Sequence, residues 1–191
     1  MNKFLTKKYI TVGVLVLFVL WTIGSYNSLV GHKGKVEQSW SNVSVQLQRR
    51  FELIPNLVNT VKGNANFEQE TLTQVVEARN AWAKAQSGGD INEQIATANQ
   101  TQSALARLLV TVEAYPTLQA NQAFQMLQIE LTGTENRIAV ARKDYNEAAT
   151  GYNVIIQKFP TLVFAKIFGF EKSTLFEAAN GSETAPTVNF E

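Results

Sequence analysis

The chain of 191 residues contains no cysteine and a single histidine, and these two shortages remove whole classes of chemistry. Without cysteine there is no disulfide, no thiolate metal ligand and no thiol nucleophile. A di-iron centre in a helical bundle needs Glu-x-x-His pairs, and zinc sites commonly use several His or Cys ligands, but His32 is the single imidazole. A Ser-His-Asp triad would depend on that same residue. The sequence therefore predicts no catalytic residue, no metal and no cofactor.

Charge is also scarce and nearly balanced. Three of the 17 basic residues precede Tyr9 and all 16 acidic residues follow it, so the rest of the chain carries 14 basic against 16 acidic residues, a net charge of −2. A weakly acidic domain binds nucleic acid poorly, because such binding rests on neutralising phosphates. We therefore expect no nucleic-acid partner.

Charge is absent altogether from the stretch between Tyr9 and Gly31, which is strongly apolar in its first half and milder in its second. A membrane-spanning helix needs roughly 20 apolar residues. A cleavable signal peptide has a similar pattern, but the small-x-small cleavage pattern is poor here, and Trp21 with Tyr26 is typical of an interfacial anchor. The sequence predicts an uncleaved transmembrane anchor over residues 1–25, with membrane lipid as its partner.

The lysines at the two ends of this stretch predict its orientation. Lys3, Lys7 and Lys8 precede it, whereas Lys33 and Lys35 follow it. Because basic residues are enriched on the cytoplasmic side of membrane spans, this bias favours a cytoplasmic N-terminus and an extracytoplasmic domain. We expect the chain to cross the membrane once.

Apolar positions recur at steps of three and four between residues 120 and 159. The members of this ladder are Phe124, Leu127, Leu131, Thr134, Ile138, Ala141, Tyr145, Ala148, Tyr152, Ile155 and Phe159. Such spacing places the side chains on one seam of a helix roughly 60 Å long, which needs partners along its length. The ladder predicts lengthwise packing against other helices.

Three further helices are predicted upstream, over residues 26–53, 55–87 and 90–115. The first should stop or kink before Pro55, which suits the first turn of the second helix, and Asp90 is a suitable cap for the third. Gly63 can interrupt the second helix, since glycine costs about 1 kcal/mol relative to alanine. Short connections favour antiparallel neighbours, so we predict an all-α fold: a transmembrane helix followed by an antiparallel up-down four-helix bundle over residues 26–177.

In such a bundle the fourth helix returns towards the membrane, which brings residues 159–170 near the bilayer. This segment is apolar enough to rest in the membrane interface, and it is equally suited to cap the open end of the bundle. Residues 178–191 form a polar tail that we expect to be mobile, although Val188 and Phe190 alternate with polar residues and could add as a strand to a partner.

Two dense polar clusters lie on the predicted first and fourth helices. They contain Arg49, Arg50 and Glu52 on the first, and Glu130, Glu135, Arg137 and Arg142 on the fourth. Arginines facing glutamates across helices can fix helix register through hydrogen-bonded ion pairs. The alternative is a polar groove for an anionic ligand or a partner peptide.

A Tyr-Asn dipeptide also occurs twice at a spacing of seven residues, as Tyr145-Asn146 and Tyr152-Asn153. Tyrosines on a helix seam usually pack their rings and donate their hydroxyl groups to neighbouring helices. We interpret both tyrosines as core residues.

Together these segments resemble the LemA family of bacterial membrane-anchored proteins. The matching stretches are residues 26–30, 40–58, 134–142, 152–153, 159–160 and 168–170. The resemblance implies an N-terminal transmembrane helix and an all-helical bundle in the bacterial inner membrane, and it implies no established enzymatic activity.

The function predicted from these observations is that of a non-enzymatic, membrane-anchored helical scaffold or adaptor of the bacterial envelope. It would act through association with an envelope protein or with a second copy of itself. The alternative is a ligand-binding sensor that uses the polar arginine and glutamate groove between helices.

Overall fold

The computed structural model describes residues 2–63 and 67–177, and all secondary structure within these ranges is helical. The helices are α1 (Asn2–Lys62), α2 (Gln69–Gly88), α3 (Ile91–Val112), α4 (Pro116–Gln119), α5 (Gln122–Gln157) and α6 (Thr161–Ile167). The predicted all-α class is therefore confirmed for the described part of the chain.

Helix α1 is continuous over 61 residues and runs through Pro55. The prediction that a helix ends before Pro55 and a new one begins there is wrong, because α2 begins at Gln69. Proline inside a helix costs about 3 kcal/mol, since it removes a hydrogen bond and crowds the preceding turn. Leu57 and Val61 beyond it are fully buried, so core packing offsets this cost. The helix ends at Lys62, next to the predicted glycine interruption.

The N-terminal part of α1 has the properties of a membrane span. Within the described residues, α1 is the one helix long and apolar enough to cross a bilayer. Its large apolar side chains from Tyr9 to Ile23 are 43–73% exposed, and an apolar surface of this extent is unfavourable in water and suited to lipid. From Leu29, which is 0% exposed, the same helix joins the core. These properties fit a membrane-associated helical protein.

Helix α5 packs antiparallel against α1. Trp40 lies against Tyr145, with ring centroids 5.4 Å apart, and Arg50 pairs with Glu135 farther along. The same pairing brings the chain back towards the membrane span, where Tyr26 meets Phe168 at 5.0 Å. The end of α5 thus approaches the apolar part of α1.

The buried face of α5 follows the predicted ladder closely from Leu131 to Tyr145 and drifts beyond it, although Tyr152 is buried as predicted. Ala149 and Ile156 are buried, whereas the ladder predicted Ala148 and Ile155, which are only partly buried. A straight helix has 3.6 residues per turn, so a seam spaced at 3.5 rotates by about 20° per heptad. The last predicted member, Phe159, lies beyond α5 and is 83% exposed, which corrects its assignment to the core.

Helices α2 and α3 form an antiparallel hairpin beside the distal part of α1. Trp82 stacks on Phe51 with ring centroids 3.8 Å apart, and Gln86 near the hairpin turn donates to Gln48. Asp90 caps α3 as predicted, accepting from the Asn92 amide at 2.8 Å. The hairpin therefore leaves the membrane-proximal part of the α1–α5 pair uncovered, and an up-down four-helix bundle along the whole length is not confirmed.

Residues 171–177, here called the C-terminal strap, lie along α5 without helical structure. The Asn146 side chain donates to the Phe176 carbonyl and accepts from the Phe176 amide, both at 2.9 Å. Asn153 makes the same pair of bonds to Ser173, both at 2.8 Å. Each asparagine of the Tyr-Asn repeat therefore binds the strap through the same pair of hydrogen bonds. The predicted mobile tail over residues 178–191 lies outside the described residues.

The two tyrosines of the repeat are core residues, as predicted. Tyr145 and Tyr152 are each 1% exposed, and the Tyr145 hydroxyl donates to the Thr174 carbonyl at 2.8 Å. Burial raises the pKa of both phenols, and Glu171 and Glu37 contribute to the rise at Tyr152. Both phenols therefore remain neutral at physiological pH.

Candidate functional site

Arg50 is a charged side chain enclosed in the core. It is 1% exposed, because it lies on the face of α1 that also carries Leu47 and Ile54, both fully buried. Its guanidinium donates to Glu135 on α5 and forms an ion pair with it. The predicted pairing of an arginine on one helix with a glutamate on the other is present at this position.

Gln102 on α3 connects the ion pair to a second arginine. Its side-chain amide donates to Glu135 at 3.2 Å, and its carbonyl accepts from Arg142 at 2.9 Å. Arg50, Gln102, Glu135 and Arg142, here called the polar core cluster, thus join α1, α3 and α5. Sequence reasoning missed Gln102, although it stands on the apolar seam of α3 between Ala98 and Leu105.

The polar core cluster carries two guanidinium groups against one carboxylate. Burial lowers the pKa of Arg50, and the attraction of Glu135 opposes this. Burial also lowers the pKa of Arg142, the positive charge of Arg50 lowers it further, and Glu135 again opposes the change. Arginine remains protonated at physiological pH even so, and the cluster therefore holds a net charge of +1.

The cluster also has more donors than acceptors. Among the described residues, the buried Nη1 of Arg50 and the buried Nε and Nη2 of Arg142 have no hydrogen-bond partner. The Arg142 guanidinium lies 4.7 Å from the ring centroid of Phe176 in the strap. Unpaired buried N–H groups are costly, so the cluster retains donors that an oxygen acceptor could satisfy.

The other four predicted members of the polar clusters lie outside this cluster. Arg49, Glu52, Glu130 and Arg137 are exposed, and Glu52 accepts from Gln48 on its own helix at 2.9 Å. The structure therefore brings together three of the seven predicted residues: Arg50, Glu135 and Arg142.

A second candidate surface is an open groove between α1 and α5, with a volume of about 460 Å³. Its lining residues are Asn42, Val45, Gln46, Asn136, Arg137, Val140, Ala141 and Asp144, here called the α1–α5 groove. Val45 is 49% exposed and Val140 is 61% exposed. The buried Oε1 of Gln46 has no hydrogen-bond partner among the described residues. The groove thus combines an exposed apolar centre with polar side chains, among them Asn42, Asn136 and Asp144.

A family model and the similar proteins found by comparison point to the same family. The model of the LemA family matches residues 39–190. Magnetosome protein MamQ 2 of Paramagnetospirillum magneticum is 28% identical over 198 residues, covering 92% of this chain and 73% of the relative. Protein LemA of Metamycoplasma hominis is 25% identical over 185 residues, covering 91% of this chain and 84% of the relative. The predicted resemblance is confirmed, and the chain belongs to the LemA family.

Proposed function

We propose that the protein is a non-enzymatic, membrane-anchored scaffold of the bacterial envelope that associates with a second copy of itself in the plane of the membrane. The observation that carries this proposal is the continuity of α1 from the apolar span into the core, with Tyr9 at one end and Val61 at the other. A helix without a flexible linker holds the domain in one orientation relative to the bilayer. All copies on one side of a membrane then present the same faces at the same height.

Such alignment favours contact through the α1–α5 groove. The groove lies at one height on each copy, so a two-fold axis along the membrane normal through the groove would bring Val45 and Val140 of one copy to the same level as Val45 and Val140 of the other. Confinement to a membrane also raises the effective concentration of one copy near another, so a modest apolar patch is sufficient for association. The lysine bias around the span supports an extracytoplasmic position for the domain.

Cysteine cross-linking tests this proposal directly, because the natural chain contains no cysteine. We expect full-length Val140→Cys protein, oxidised in its native membrane, to form a disulfide-linked dimer. Val110→Cys is the matched control, since Val110 on α3 is 65% exposed, close to the 61% of Val140, but lies outside the groove. A membrane-impermeant maleimide applied to intact cells carrying the control variant reports the side of the domain.

Mass spectrometry of the cross-linked species distinguishes a homodimer from a link to another envelope protein. Equal cross-linking at residues 110 and 140, or none at either, would contradict self-association through the groove. A specific link from residue 140 to a different protein would replace the self-association proposal by an adaptor function.

The second candidate function is that of a sensor for a small anion, and the net charge of the polar core cluster favours it. Inorganic phosphate and acetate are suitable probes, compared at equal ionic strength with chloride. We expect a bound anion at 100 times its Kd to stabilise the protein by about 2.7 kcal/mol in thermal unfolding. Arg142→Gln should abolish the effect, whereas substitution of the exposed Arg137 by glutamine should leave it intact. Equal responses of the natural chain and Arg142→Gln would reject this candidate.

A further inference from the structure

Residues 159–170, here called the α6 segment, expose apolar side chains beside the membrane span. Phe159 is 83% exposed, Ile167 is 68% exposed, and Val163 and Phe168 are each 46% exposed. The opposite face packs inward, since Phe164 is 7% exposed and meets the ring of Trp21 at 5.1 Å. The segment therefore carries apolar residues both on the face that packs against the protein and on its free face.

The position of the α6 segment along α1 places it at membrane depth. Its ring contacts are with Trp21 and Tyr26, which follow Tyr9 by 12 and 17 residues. At a rise of 1.5 Å per residue, these contacts lie roughly 18 and 26 Å from Tyr9 along the helix axis. The hydrocarbon core of a bilayer is about 30 Å thick, so a span that begins at Tyr9 contains both levels.

Beyond Ile23, α1 itself carries few apolar side chains that could face the hydrocarbon core. The strongly apolar run ends at Ile23 and is followed by Gly24, Ser25, Asn27 and Ser28. The 15 residues from Tyr9 to Ile23 cover roughly 22 Å, which is shorter than the hydrocarbon core. The α6 segment lies beside the deficient part and continues the exposed apolar surface of α1 on one side, which reduces this hydrophobic mismatch.

Backbone hydrogen bonds close both ends of α6, which lowers the cost of a lipid environment, where unpaired N–H groups are unfavourable. The Leu162 amide donates to the Lys158 carbonyl at 2.7 Å at the start of α6. At its end Gly169 adopts a φ of 71°, and the Phe170 amide donates back to the Ala165 carbonyl at 2.9 Å. Glycine is favoured in that left-handed conformation, which closes the helix within one turn.

The charges near the segment also fit a position at the edge of the hydrocarbon core. Lys158 and Lys166 are exposed, and long lysine side chains can reach the lipid headgroups while their stems remain in the apolar region. Lys33, on the domain side of the segment, lies 6.0 Å from the ring centroid of Phe170. Basic residues with aromatic rings are typical of the membrane interface.

We propose that the α6 segment is embedded in the bilayer beside α1, in the leaflet that faces the domain, so that lipid covers Phe159, Val163 and Ile167. This second membrane contact is independent of self-association. It fixes the height of the domain and limits the tilt of α1 in the bilayer. Of the two positions that the sequence allowed for residues 159–170, the continuity with the exposed face of α1 selects the membrane interface.

Spin-label accessibility tests this proposal in the full chain. Ile167→Cys, labelled with a nitroxide and reconstituted into vesicles of phosphatidylcholine and phosphatidylglycerol, is compared with two reference sites of matched exposure. Leu17→Cys, at 68% exposure, reports the membrane span, and Val110→Cys, at 65% exposure, reports the domain surface. The readout is the ratio of accessibility to oxygen, which partitions into lipid, over accessibility to a water-soluble nickel chelate.

We expect the ratio at Ile167 to exceed that at Val110 several-fold and to approach that at Leu17. A ratio at Ile167 equal to that at Val110 would overturn the proposal and leave the segment as a cap exposed to water. Val163→Cys provides a second labelled position on the same face, so that the result does not depend on one variant. Neither outcome depends on cross-linking at residue 140, so this test and the self-association test fail separately.

Discussion

Replacement of Glu135 by alanine should destabilise the protein by about 3 kcal/mol, at the lower end of the range for breaking a buried ion pair. The reason is the state of the residue that remains. Arg50 is 1% exposed and would keep its charge in the core, with Arg142 as a second positive group and no carboxylate nearby. An uncompensated buried charge is costly, because the core cannot replace the water that solvates it.

The converse substitution, Arg50→Met, should cost less, about 1–2 kcal/mol, because methionine fills much of the space and the carboxylate left behind can hydrate. The Glu135 side chain is 42% exposed, so water reaches it. A larger loss of stability for Glu135→Ala than for Arg50→Met would therefore show that most of the desolvation cost of the pair lies with Arg50.

Thermal unfolding of the detergent-solubilised full chain, followed by tryptophan fluorescence, measures both variants. A loss of 1 kcal/mol lowers Tm by about 2–4 °C for a domain of 150–250 residues, so Glu135→Ala should lower it by about 6–12 °C. Glu130→Ala is the matched control, since Glu130 is an exposed glutamate on the same helix, and its effect should stay within about 0.5 kcal/mol. Equal losses for Glu135→Ala and Arg50→Met would contradict the interpretation.

The sequence was sufficient to predict α5 because its apolar residues are regular over many turns, and regular spacing leaves few alternatives for the buried face. It was misleading at Pro55, where the local preference of one residue for a helix start suggested a boundary. Long-range packing of Leu57 and Val61 against the core overrides that preference. No window of sequence around Pro55 contains this information, because the partners that bury these side chains come from other helices.

The polar core cluster shows the same division between local and long-range information. The spacing of Arg50 from Leu47 and Ile54 is enough to distinguish it from the exposed Arg49. The choice of Glu135 instead of Glu130 as its partner depends on the alignment of α1 with α5, which periodicity alone does not determine. Gln102 enters from a third helix, so its place in the cluster follows only from the tertiary fold.

The C-terminal strap was beyond sequence analysis for a different reason. Its residues have no helical or strand period, and its position depends on bonds from Asn146 and Asn153 to its backbone. In the sequence these two asparagines are recognisable only as part of a Tyr-Asn dipeptide that recurs after seven residues. Because an asparagine side chain can donate and accept at once, each one replaces the pair of backbone bonds that a neighbouring strand would provide.

Phe176→Ala should release the strap from α5 while the helices remain folded. Phe176 is 7% exposed and packs against Trp40, Tyr145 and Arg142. Truncation of a buried phenylalanine to alanine lowers the free energy of unfolding by about 3–5 kcal/mol when the surrounding structure does not relax into the cavity. A peripheral segment can open locally while the rest of the protein stays folded, so the loss of stability should be confined to the strap.

Hydrogen exchange of the full chain in detergent measures this opening, because the amides of Ser173 and Phe176 are bonded to the two asparagines. A loss of about 3 kcal/mol corresponds to exchange roughly 100-fold faster at Ser173, since each 1.4 kcal/mol is a factor of ten. Leu175→Ala is the control within the same strap, because Leu175 is 37% exposed and should change exchange only slightly. Unchanged exchange at Ser173, or faster exchange throughout α1 and α5, would contradict local release.

Release of the strap also has a consequence for the polar core cluster. Phe176 covers the Arg142 guanidinium, whose Nε and Nη2 have no hydrogen-bond partner among the described residues. When the ring is removed, solvent reaches these groups and the cost of their burial falls. If a small anion binds the cluster, Phe176→Ala should therefore change the affinity for that anion as well as exchange in the strap, and an anion that protects the Ser173 amide in the natural chain would connect the strap to the cluster.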